Sequence, residues 1–301
     1  MHRYRLTAGS TLKLPFKRRL IQLASALLYN AHLKGFTEGQ IYQGNLKGLC
    51  VPGLNCYSCP GAVASCPLGS LQNALSGVTY RMPYYIFGIL LLFGLLLGRI
   101  ICGFLCPFGL IQELLHKIPV PKLKKNRITR VLSCGKYVIL VIFVIYIPLF
   151  YAFRDGYPLP GFCKYICPAG TLEGGLPLLI TDPSLRSLAG FLFSWKVALM
   201  LIILVSAMFI YRSFCRFICP LGAIYALFSK IAVFGIQVDE SKCTHCNQCI
   251  HHCMMDIKKV GDRECIQCGS CREVCHFDAI SWKKIKHKKG DQKIYEVKAN
   301  R

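Results

Sequence analysis

The chain has 301 residues, enough for two domains, and its 53% apolar composition with a mean hydropathy of +0.42 is typical of a membrane protein. Its formal net charge of +23 accompanies no nucleic-acid recognition fold, because the positive residues flank apolar segments or lie in the C-terminal tail, so we predict no nucleic-acid partner. Nineteen cysteines exceed the needs of ordinary core packing, and their spacing has to decide between a disulfide framework and metal sites.

Four apolar segments predict a mainly α-helical protein with a four-helix transmembrane domain over residues 1–235. The predicted spans lie at about residues 17–33, 84–101, 137–153 and 193–211. Polar residues interrupt the first segment, which is a retained anchor, a signal peptide or an interfacial helix, and we favour the anchor. Residues 236–282 are predicted to form a C-terminal α+β domain, followed by a basic tail over residues 283–301.

The distribution of lysine and arginine predicts the orientation of these spans. Residues 1–19 hold six of them and residues 99–131 hold seven, whereas the loops 34–83 and 154–196 hold three and four. Because positive loops stay on the cytoplasmic side, we predict a multi-pass protein of a prokaryotic plasma membrane. Its N-terminus and C-terminal domain would face the cytoplasm, and the two loops poor in positive charge would lie outside.

The pattern Cys-x3-Cys-Pro-x-Gly recurs at the edges of the predicted spans. Full copies begin at Cys102, Cys163 and Cys215, and Cys66-Pro67-Leu68-Gly69 resembles the end of a fourth. Proline ends an incoming helix and suits the first position of the next one, so the second cysteine of each copy is predicted at a helix N-terminus. The positive end of the helix dipole favours a thiolate at that position.

The order of span, outer cysteines, span and inner cysteines occurs twice, which predicts an internal duplication of roughly 110 residues. Arg99 and Arg212 align in this repeat, three residues before Cys102 and Cys215. A parallel repeat has a pseudo-two-fold axis along the membrane normal, so each half would contribute one cysteine pair to each side. The inner set predicted to hold a 4Fe–4S cluster is Cys102, Cys106, Cys215 and Cys219.

The outer set has more cysteines than one cluster needs. Its predicted metal ligands are Cys59, Cys66, Cys163 and Cys167. Cys59 is the better-placed partner of Cys66, with Cys56 close behind; Cys50 and Cys56 are a disulfide, spare thiols or alternative ligands. A fully disulfide-bonded outer set stays open as an alternative. Cys134 belongs to no pair and is predicted to be structural.

The C-terminal domain repeats a second cysteine pattern, Cys-x2-Cys-x2-Cys-x3-Cys, which is the spacing of bacterial two-cluster ferredoxins. In that spacing three thiolates hold one cluster and the fourth crosses to the other. The first predicted 4Fe–4S cluster therefore has the ligands Cys243, Cys246, Cys249 and Cys275, and the second has Cys265, Cys268, Cys271 and Cys253.

Together these motifs resemble the NapH/NosR-type membrane polyferredoxins, from Cys50 to Trp282. The resemblance implies an iron–sulfur protein that relays electrons between a cytoplasmic or quinol donor and a membrane or extracytoplasmic reductase. Its expected cofactors are two clusters in the ferredoxin domain and one or two in the membrane domain, with quinone as a further candidate. Its expected partners are redox proteins, such as a reductase or flavoprotein, and the membrane. The extra cysteines from Cys50 to Cys66 and the absence of an evident flavin-binding domain depart from the family pattern.

Two alternatives to a relay subunit stay open. The chain could itself oxidise quinol as a quinol dehydrogenase subunit, or it could be an assembly or redox-sensing factor for a respiratory enzyme. No residue set suggests substrate chemistry, so the sequence favours an electron-transfer subunit over a self-contained enzyme. For a transmembrane relay, the distance between the inner and outer clusters is the critical quantity, because tunnelling falls steeply with separation.

Overall fold

The computed structural model describes residues 13–75, 84–123, 125–157, 159–187 and 189–283. Within them the chain is mainly helical. The helices, in chain order, are α1 (Lys13–Tyr29), α2 (Gly35–Glu38), α3 (Pro67–Ala74), α4 (Tyr84–Leu96), α5 (Ile100–Phe104), α6 (Pro107–His116), α7 (Arg127–Leu132), α8 (Gly135–Ile139), α9 (Ile147–Asp155), α10 (Gly161–Tyr165), α11 (Leu176–Thr181), α12 (Pro183–Ser187), α13 (Phe191–Phe209), α14 (Ser213–Phe217), α15 (Pro220–Phe228), α16 (Gln248–His252) and α17 (Ser270–Glu273).

Three shorter helical stretches complete this inventory. Asn45–Gly48 is a 3-10 turn, and Leu140–Tyr146 and Gly170–Gly175 are π-helical. The strands β1 (Ile236–Val238) and β2 (Ile280–Trp282) pair antiparallel. This pairing joins the two ends of the cysteine-rich segment 236–282.

Two helices of the described part are long and apolar enough to cross a membrane. One is the continuous helix Ile128–Asp155, which joins α7, α8, the π-helical stretch 140–146 and α9; the other is α13. Only 28% and 17% of their most apolar windows are buried, so both present apolar side chains outward. They coincide with the third and fourth predicted spans.

The first two predicted spans differ from these helices. α4 ends at Leu96 after 13 residues, about 20 Å of helix, and a turn at Gly98, whose φ is +50°, leads into α5. α1 covers much of the first segment and packs against α5 and α6, but Arg18, Gln22 and Ser25 lie on its buried face. A four-helix membrane domain therefore stays a prediction.

The segment between α1 and α3 is irregular and yet enters the protein interior. Asn55 and Ala62 are completely buried, Cys59 is 2% exposed, and Cys50 forms a β-bridge with Ser65. Irregular backbone is tolerated at membrane depth only when protein surrounds it, and this segment meets that condition.

The repeated cysteine motifs fold as their prolines predict. Cys66, Cys106 and Cys219 are the N-cap residues of α3, α6 and α15, each with proline in the first turn. One buried core then unites residues from both halves of the chain and from the C-terminal segment. Its cysteines are Cys50, Cys66, Cys102, Cys106, Cys167, Cys215, Cys219 and Cys265.

Candidate metal centres

The four cysteines of the inner set come together. Cys102 lies in α5 and Cys215 in α14, and each short helix leads into the cysteine that caps the next helix, Cys106 or Cys219. All four are buried and line one small cavity, together with Leu54 and other residues of the irregular segment. Four convergent thiols in an enclosed space suit a 4Fe–4S cluster.

The charges around the inner set fit an anionic occupant. Five cationic side chains of this region are at most 5% exposed: Arg18, Arg99, Lys136, Arg212 and Arg216. Among the described residues they form ion pairs with three carboxylates, Glu113, Asp256 and Glu264. Two positive charges are left over, and an oxidised cluster with four thiolates carries a charge of about −2.

Two of the arginines approach the inner cysteines directly. Arg212 donates a hydrogen bond to the carbonyl oxygen of Cys102. The Nε and Nη2 atoms of Arg99 are buried without a hydrogen-bond partner. Because a buried charge without a partner is costly, these orphaned donors favour a negative group between the four thiols.

Burial makes the free thiols poor acids, so they are protonated at neutral pH when no metal is bound. It raises the pKa of Cys106 to about 12, and the neighbouring Cys215 and Cys102 raise it further. Burial likewise raises the pKa of Cys66 to about 12. A bound metal ion would deprotonate these cysteines at neutral pH, because metal ligation requires the thiolate.

Cross-motif hydrogen bonds pair the cysteine motifs two by two. Nε2 of Gln112, in α6, donates to Sγ of Cys215 over 3.0 Å. Nε2 of Gln72, in α3, donates to Sγ of Cys163 over 3.2 Å. The inner motifs are thus joined to each other, and the Cys66 motif is joined to the Cys163 motif, as the repeat predicts.

The structure favours Cys56 over the predicted Cys59 as the fourth member of the outer set. A Cβ added to Gly170 would lie 3.8 Å from Sγ of both Cys167 and Cys56, and one added to Gly69 would lie 3.8 Å from Sγ of Cys163. Oε2 of Glu173 accepts a hydrogen bond from the backbone nitrogen of Cys56 over 2.8 Å. The structure therefore brings Cys56 to Cys66, Cys163 and Cys167.

Cys59 and the remaining cysteines lie apart from this group. The Cys59 thiol donates to Oδ1 of Asn30 over 3.5 Å, on the α1 side of the loop. Cys50 is buried and Cys134 is exposed. All nineteen cysteines lie in the described ranges, and each is a free thiol there.

The irregular segment connects the inner and outer sets. A Cβ on Gly53 would lie 3.3 Å from Cα of Cys106, and the Tyr225 hydroxyl donates to the carbonyl oxygen of Pro52 over 2.9 Å. Burial raises the pKa of that hydroxyl, and the nearby Cys102 and Cys66 thiols raise it further. Tyr225 thus lies within electrostatic reach of cysteines from both sets.

The fourth cysteine of the first C-terminal motif lies near the second motif. Burial raises the pKa of Cys253 to about 12, and neighbouring Cys268 and Cys265 raise it further. Burial also raises the pKa of Cys249, to which Cys243 and Cys246 add. The two ferredoxin ligand sets stay a prediction of the spacing.

The second ferredoxin group lies directly on the inner set. A Cβ on Gly103 would lie 2.5 Å from the carbonyl oxygen of Ile266 and 3.9 Å from Cα of Cys268. Cys102 is the neighbour of Gly103 in α5. The backbone of the C-terminal segment therefore touches the helix that carries an inner ligand.

Ion pairs hold this contact at two places. Glu264 accepts hydrogen bonds from Nη1 of Arg99 over 3.2 Å and from Nζ of Lys136 over 2.6 Å. Asp256 accepts from Nη2 of Arg216 over 2.8 Å and from the half-exposed Arg130 over 2.9 Å. The sequence did not single out Lys136, Glu264 or Asp256, because nothing in their spacing shows that distant segments meet.

Sequence reasoning also missed two buried glutamines, although their spacing from the cysteines could have identified them. Gln72 and Gln112 both follow the cysteine of a Cys-Pro-x-Gly segment by six residues. Glu113, next to Gln112 in α6, is 3% exposed and accepts hydrogen bonds from Arg18, Tyr211 and Arg212.

Comparison with known proteins assigns iron–sulfur chemistry to the membrane motifs. The family described as 4Fe-4S binding domain, Fer4_5, matches residues 82–126, 137–176 and 192–238. These ranges contain all three full copies of Cys-x3-Cys-Pro. The chain thus carries a 4Fe–4S binding domain besides its ferredoxin-type cysteines.

Relatives extend the similarity to most of the chain. An uncharacterized protein of Methanocaldococcus jannaschii is 30% identical over 62% of this chain and 64% of its own length. The ferredoxin-type protein NapH of Escherichia coli is 25% identical over 71% of this chain and 73% of its own length. The regulatory protein NosR of Pseudomonas aeruginosa is 29% identical over 60% of this chain and 24% of its own length. No solved structure matches the chain.

Proposed function

Because the chain belongs to the NapH/NosR-type polyferredoxin family of iron–sulfur electron-transport proteins, we propose that it relays electrons along four 4Fe–4S clusters in one line. The two ferredoxin clusters would stand at one end and the outer cluster at the other. A bound cluster supplies reversible one-electron transfer. The chain would serve as the electron-transfer subunit between a cytoplasmic or quinol donor and a membrane or extracytoplasmic reductase.

Four groups of cysteines would hold these clusters. The inner group is the set predicted from the sequence, Cys102, Cys106, Cys215 and Cys219. For the outer group we propose Cys56, Cys66, Cys163 and Cys167, because Cys56 lies within electrostatic reach of the other three and the Cys59 thiol instead contacts Asn30. For the ferredoxin groups we propose Cys243, Cys246, Cys249 and Cys275, and Cys253, Cys265, Cys268 and Cys271.

The order of the line follows from contacts between these groups. Cys243, Cys246, Cys249 and Cys275 are all intermediate or exposed, so the first ferredoxin group is the accessible end. The second group packs on α5 at Gly103, beside the inner set. Electrons entering at the exposed group would pass next to the second group and then to the inner one.

One observation carries the step across the membrane domain: the irregular segment brings Gly53 to within contact of Cys106, while Cys56, three residues later, belongs to the outer group. The sequence alone left the distance between the two membrane sites as the critical quantity. Tyr225, which lines the inner cavity, donates its hydroxyl to Pro52 of the same irregular segment. A short path through one loop and one aromatic side chain supports direct transfer without an additional cofactor.

Two apolar helices and the basic residues beside the ferredoxin segment support the proposed placement in a membrane. The helix 128–155 and α13 would cross the bilayer with their exposed apolar faces toward lipid. The ferredoxin segment would face the cytoplasm, because Arg99, Arg130 and Lys136 lie on its side. The outer cysteines would then open toward the opposite side.

Transfer across sealed vesicles tests this function. Full-length protein is reconstituted without air into liposomes that contain trapped cytochrome c, and dithionite is added outside. We expect reduction of the trapped cytochrome. In Cys163→Ser we expect this reduction to stop while iron falls only from about sixteen to about twelve atoms per chain, because one cluster is lost.

Cys134→Ser is the matched control, because Cys134 is exposed and belongs to no group. It should reduce the trapped cytochrome at the rate of the unchanged protein. An equal rate in Cys163→Ser would show that the path does not pass through the outer group and would contradict the proposed function.

Quinol oxidation by the chain itself is a second candidate, favoured by one groove. Tyr146 stacks on Phe150, with ring centroids 5.9 Å apart. Both rings lie in an open apolar groove that Arg154 also lines. A quinol ring would fit against such a face. Reduction of the clusters by quinol in purified protein, lost in Phe150→Ala, would support this candidate; clusters that stay oxidised would exclude it.

A further inference from the structure

Two buried glutamines occupy equivalent places in the outer and inner cysteine motifs of the first half of the predicted repeat. Gln72 and Gln112 each follow a helix-capping cysteine by six residues, Cys66 or Cys106, and both side chains are completely buried. Buried amides are expensive unless they are hydrogen-bonded. Each of these two satisfies both ends of its amide in the same way.

The amide of each glutamine holds the partner motif at two atoms. Oε1 of Gln112 accepts from the backbone nitrogen of Phe214 over 3.0 Å, while its Nε2 donates to Sγ of Cys215. Oε1 of Gln72 accepts from the backbone nitrogen of Phe162, also over 3.0 Å, while its Nε2 donates to Sγ of Cys163. A single coincidence would not reproduce both contacts at both the outer and the inner set.

The other two motifs show what the glutamine adds. The residue six positions after Cys167 is Glu173, which accepts from the backbone nitrogen of Cys56 and has no amide to donate. The residue six positions after Cys219 is Tyr225, whose hydroxyl donates to Pro52. Holding the backbone therefore does not require an amide, whereas donating to a cysteine sulfur at this position does.

We propose that Gln72 and Gln112 are positioning residues that raise the reduction potentials of the outer and inner clusters, each through one N–H···S hydrogen bond to a cysteine ligand. The inference rests on the proposed function, since it needs clusters at both sites. Reduction adds negative charge to a cluster and its thiolates, and a donor to sulfur stabilises that charge. Outer partners of metal ligands orient them and tune the metal in the same way.

The test is a redox titration of each cluster by low-temperature EPR in the full-length protein. Gln112→Met keeps the length of the side chain but removes the donor. We expect it to lower the midpoint potential of one membrane cluster and to leave the other three unchanged. Gln72→Met should lower that of a different cluster. Iron content should equal that of the unchanged protein in both variants.

One further variant is the control of this test, and two others can replace the methionine variants. Gln43→Met, at an exposed glutamine of the loop that precedes the outer cysteines, is the matched control and should shift no potential. If a methionine variant fails to assemble, Gln112→Glu and Gln72→Glu replace it, because Glu173 shows that a glutamate in this position still accepts from the partner backbone.

Unchanged potentials in both variants at full iron content would overturn the inference, and so would shifts of the same EPR signal by both. A full complement of iron with unshifted potentials would refute the role proposed for the two glutamines and leave the proposed clusters unaffected. About eight iron atoms in the unchanged protein would instead refute the proposed membrane clusters themselves.

Discussion

At the scale of single residues, the proposed place of Cys56 in the outer group depends on one half-buried carboxylate. Glu173 lies six residues beyond Cys167 and fixes the backbone of Cys56 over 2.8 Å. The same burial raises the pKa of Glu173 to about 7. The contact joins the irregular segment to the second half of the chain and points the Cys56 thiol toward Gly170.

Serine variants of the two neighbouring cysteines separate their roles. Cys56→Ser should remove one cluster and lower iron by about four atoms per chain, because a cubane needs four thiolates. Cys59→Ser should retain all the iron, since its thiol contacts Asn30. Iron analysis of both variants, purified without air, checks this pair. Equal loss in both, or loss only in Cys59→Ser, would contradict the outer group proposed here.

Sequence reasoning grouped most cysteines by a repeated pattern but chose between Cys56 and Cys59 by spacing alone. The repeat shows where a second cysteine caps a helix, because proline and glycine accompany it. The first cysteine of the outer copy has no such local signal. Its identity depends on the path of an irregular loop, which long-range contacts such as that of Glu173 decide.

At the scale of elements, α5 is the contact through which the ferredoxin segment meets the membrane domain. At Gly103 of this helix, the backbone of the other segment lies within 3 Å of the position that a Cβ would take. Glycine permits close approach of two backbones, because it has no side chain. The short helix thereby sets the distance between two groups of cysteines.

Gly103→Ala should push the ferredoxin segment away from α5. Its Cβ would lie 2.5 Å from the carbonyl oxygen of Ile266, which is backbone and cannot rotate aside. We expect a stability loss of about 1–3 kcal/mol and slower reduction of the membrane clusters through the ferredoxin clusters, measured by stopped-flow absorbance. Gly88→Ala is the control, because nothing lies within 4 Å of its Cβ position. Identical rates in the two variants would contradict the assigned contact.

Glu113 anchors α1 to α6 and to the residues that follow α13. Burial alone would raise its pKa, but Arg212 and Arg18 bring it below the ordinary value of 4.5. A folded pKa below the unfolded one means that this stabilisation is complete above about pH 4.5 and is lost as the pH falls through the folded pKa. The ion pairs of Glu113 with Arg18 and Arg212 should therefore stabilise the protein at neutral pH and be lost in acid.

Glu113→Gln should destabilise the protein by about 3–5 kcal/mol, because it leaves Arg18 and Arg212 buried without their counter-charge. Thermal unfolding in detergent at neutral pH measures this effect. Glu38→Gln, at an exposed carboxylate, should leave the melting temperature unchanged. A Glu113→Gln protein as stable as the unchanged one would show that the ion pairs do not hold α1.

Elements were predicted best where a local pattern specifies them. The short helices α6 and α15 follow from Cys-Pro starts, and the long helices from uninterrupted apolar runs. α4 is shorter than its apolar run because the chain turns at Gly98. The buried path of the loop before Cys66 has no periodic signal, so its contact with Cys106 is not predictable from the sequence.

At the scale of the whole molecule, one core joins both halves of the duplication and the ferredoxin segment. Sequence spacing predicts which cysteines act together, but not the distance between groups. The ion pairs of Glu264 and Asp256 and the irregular segment set that distance, and they connect residues more than a hundred positions apart or on separate elements. The resulting arrangement places four groups of thiols in sequence from an exposed end to the outer loop.

The count of iron and acid-labile sulfide per chain, on protein purified in detergent without air, tests this arrangement most directly. Four cysteine groups predict about sixteen iron and about sixteen sulfide. About twelve of each would show that the outer group holds no cluster, and the line of electron carriers would then end at the inner set. That result would contradict the relay proposed here.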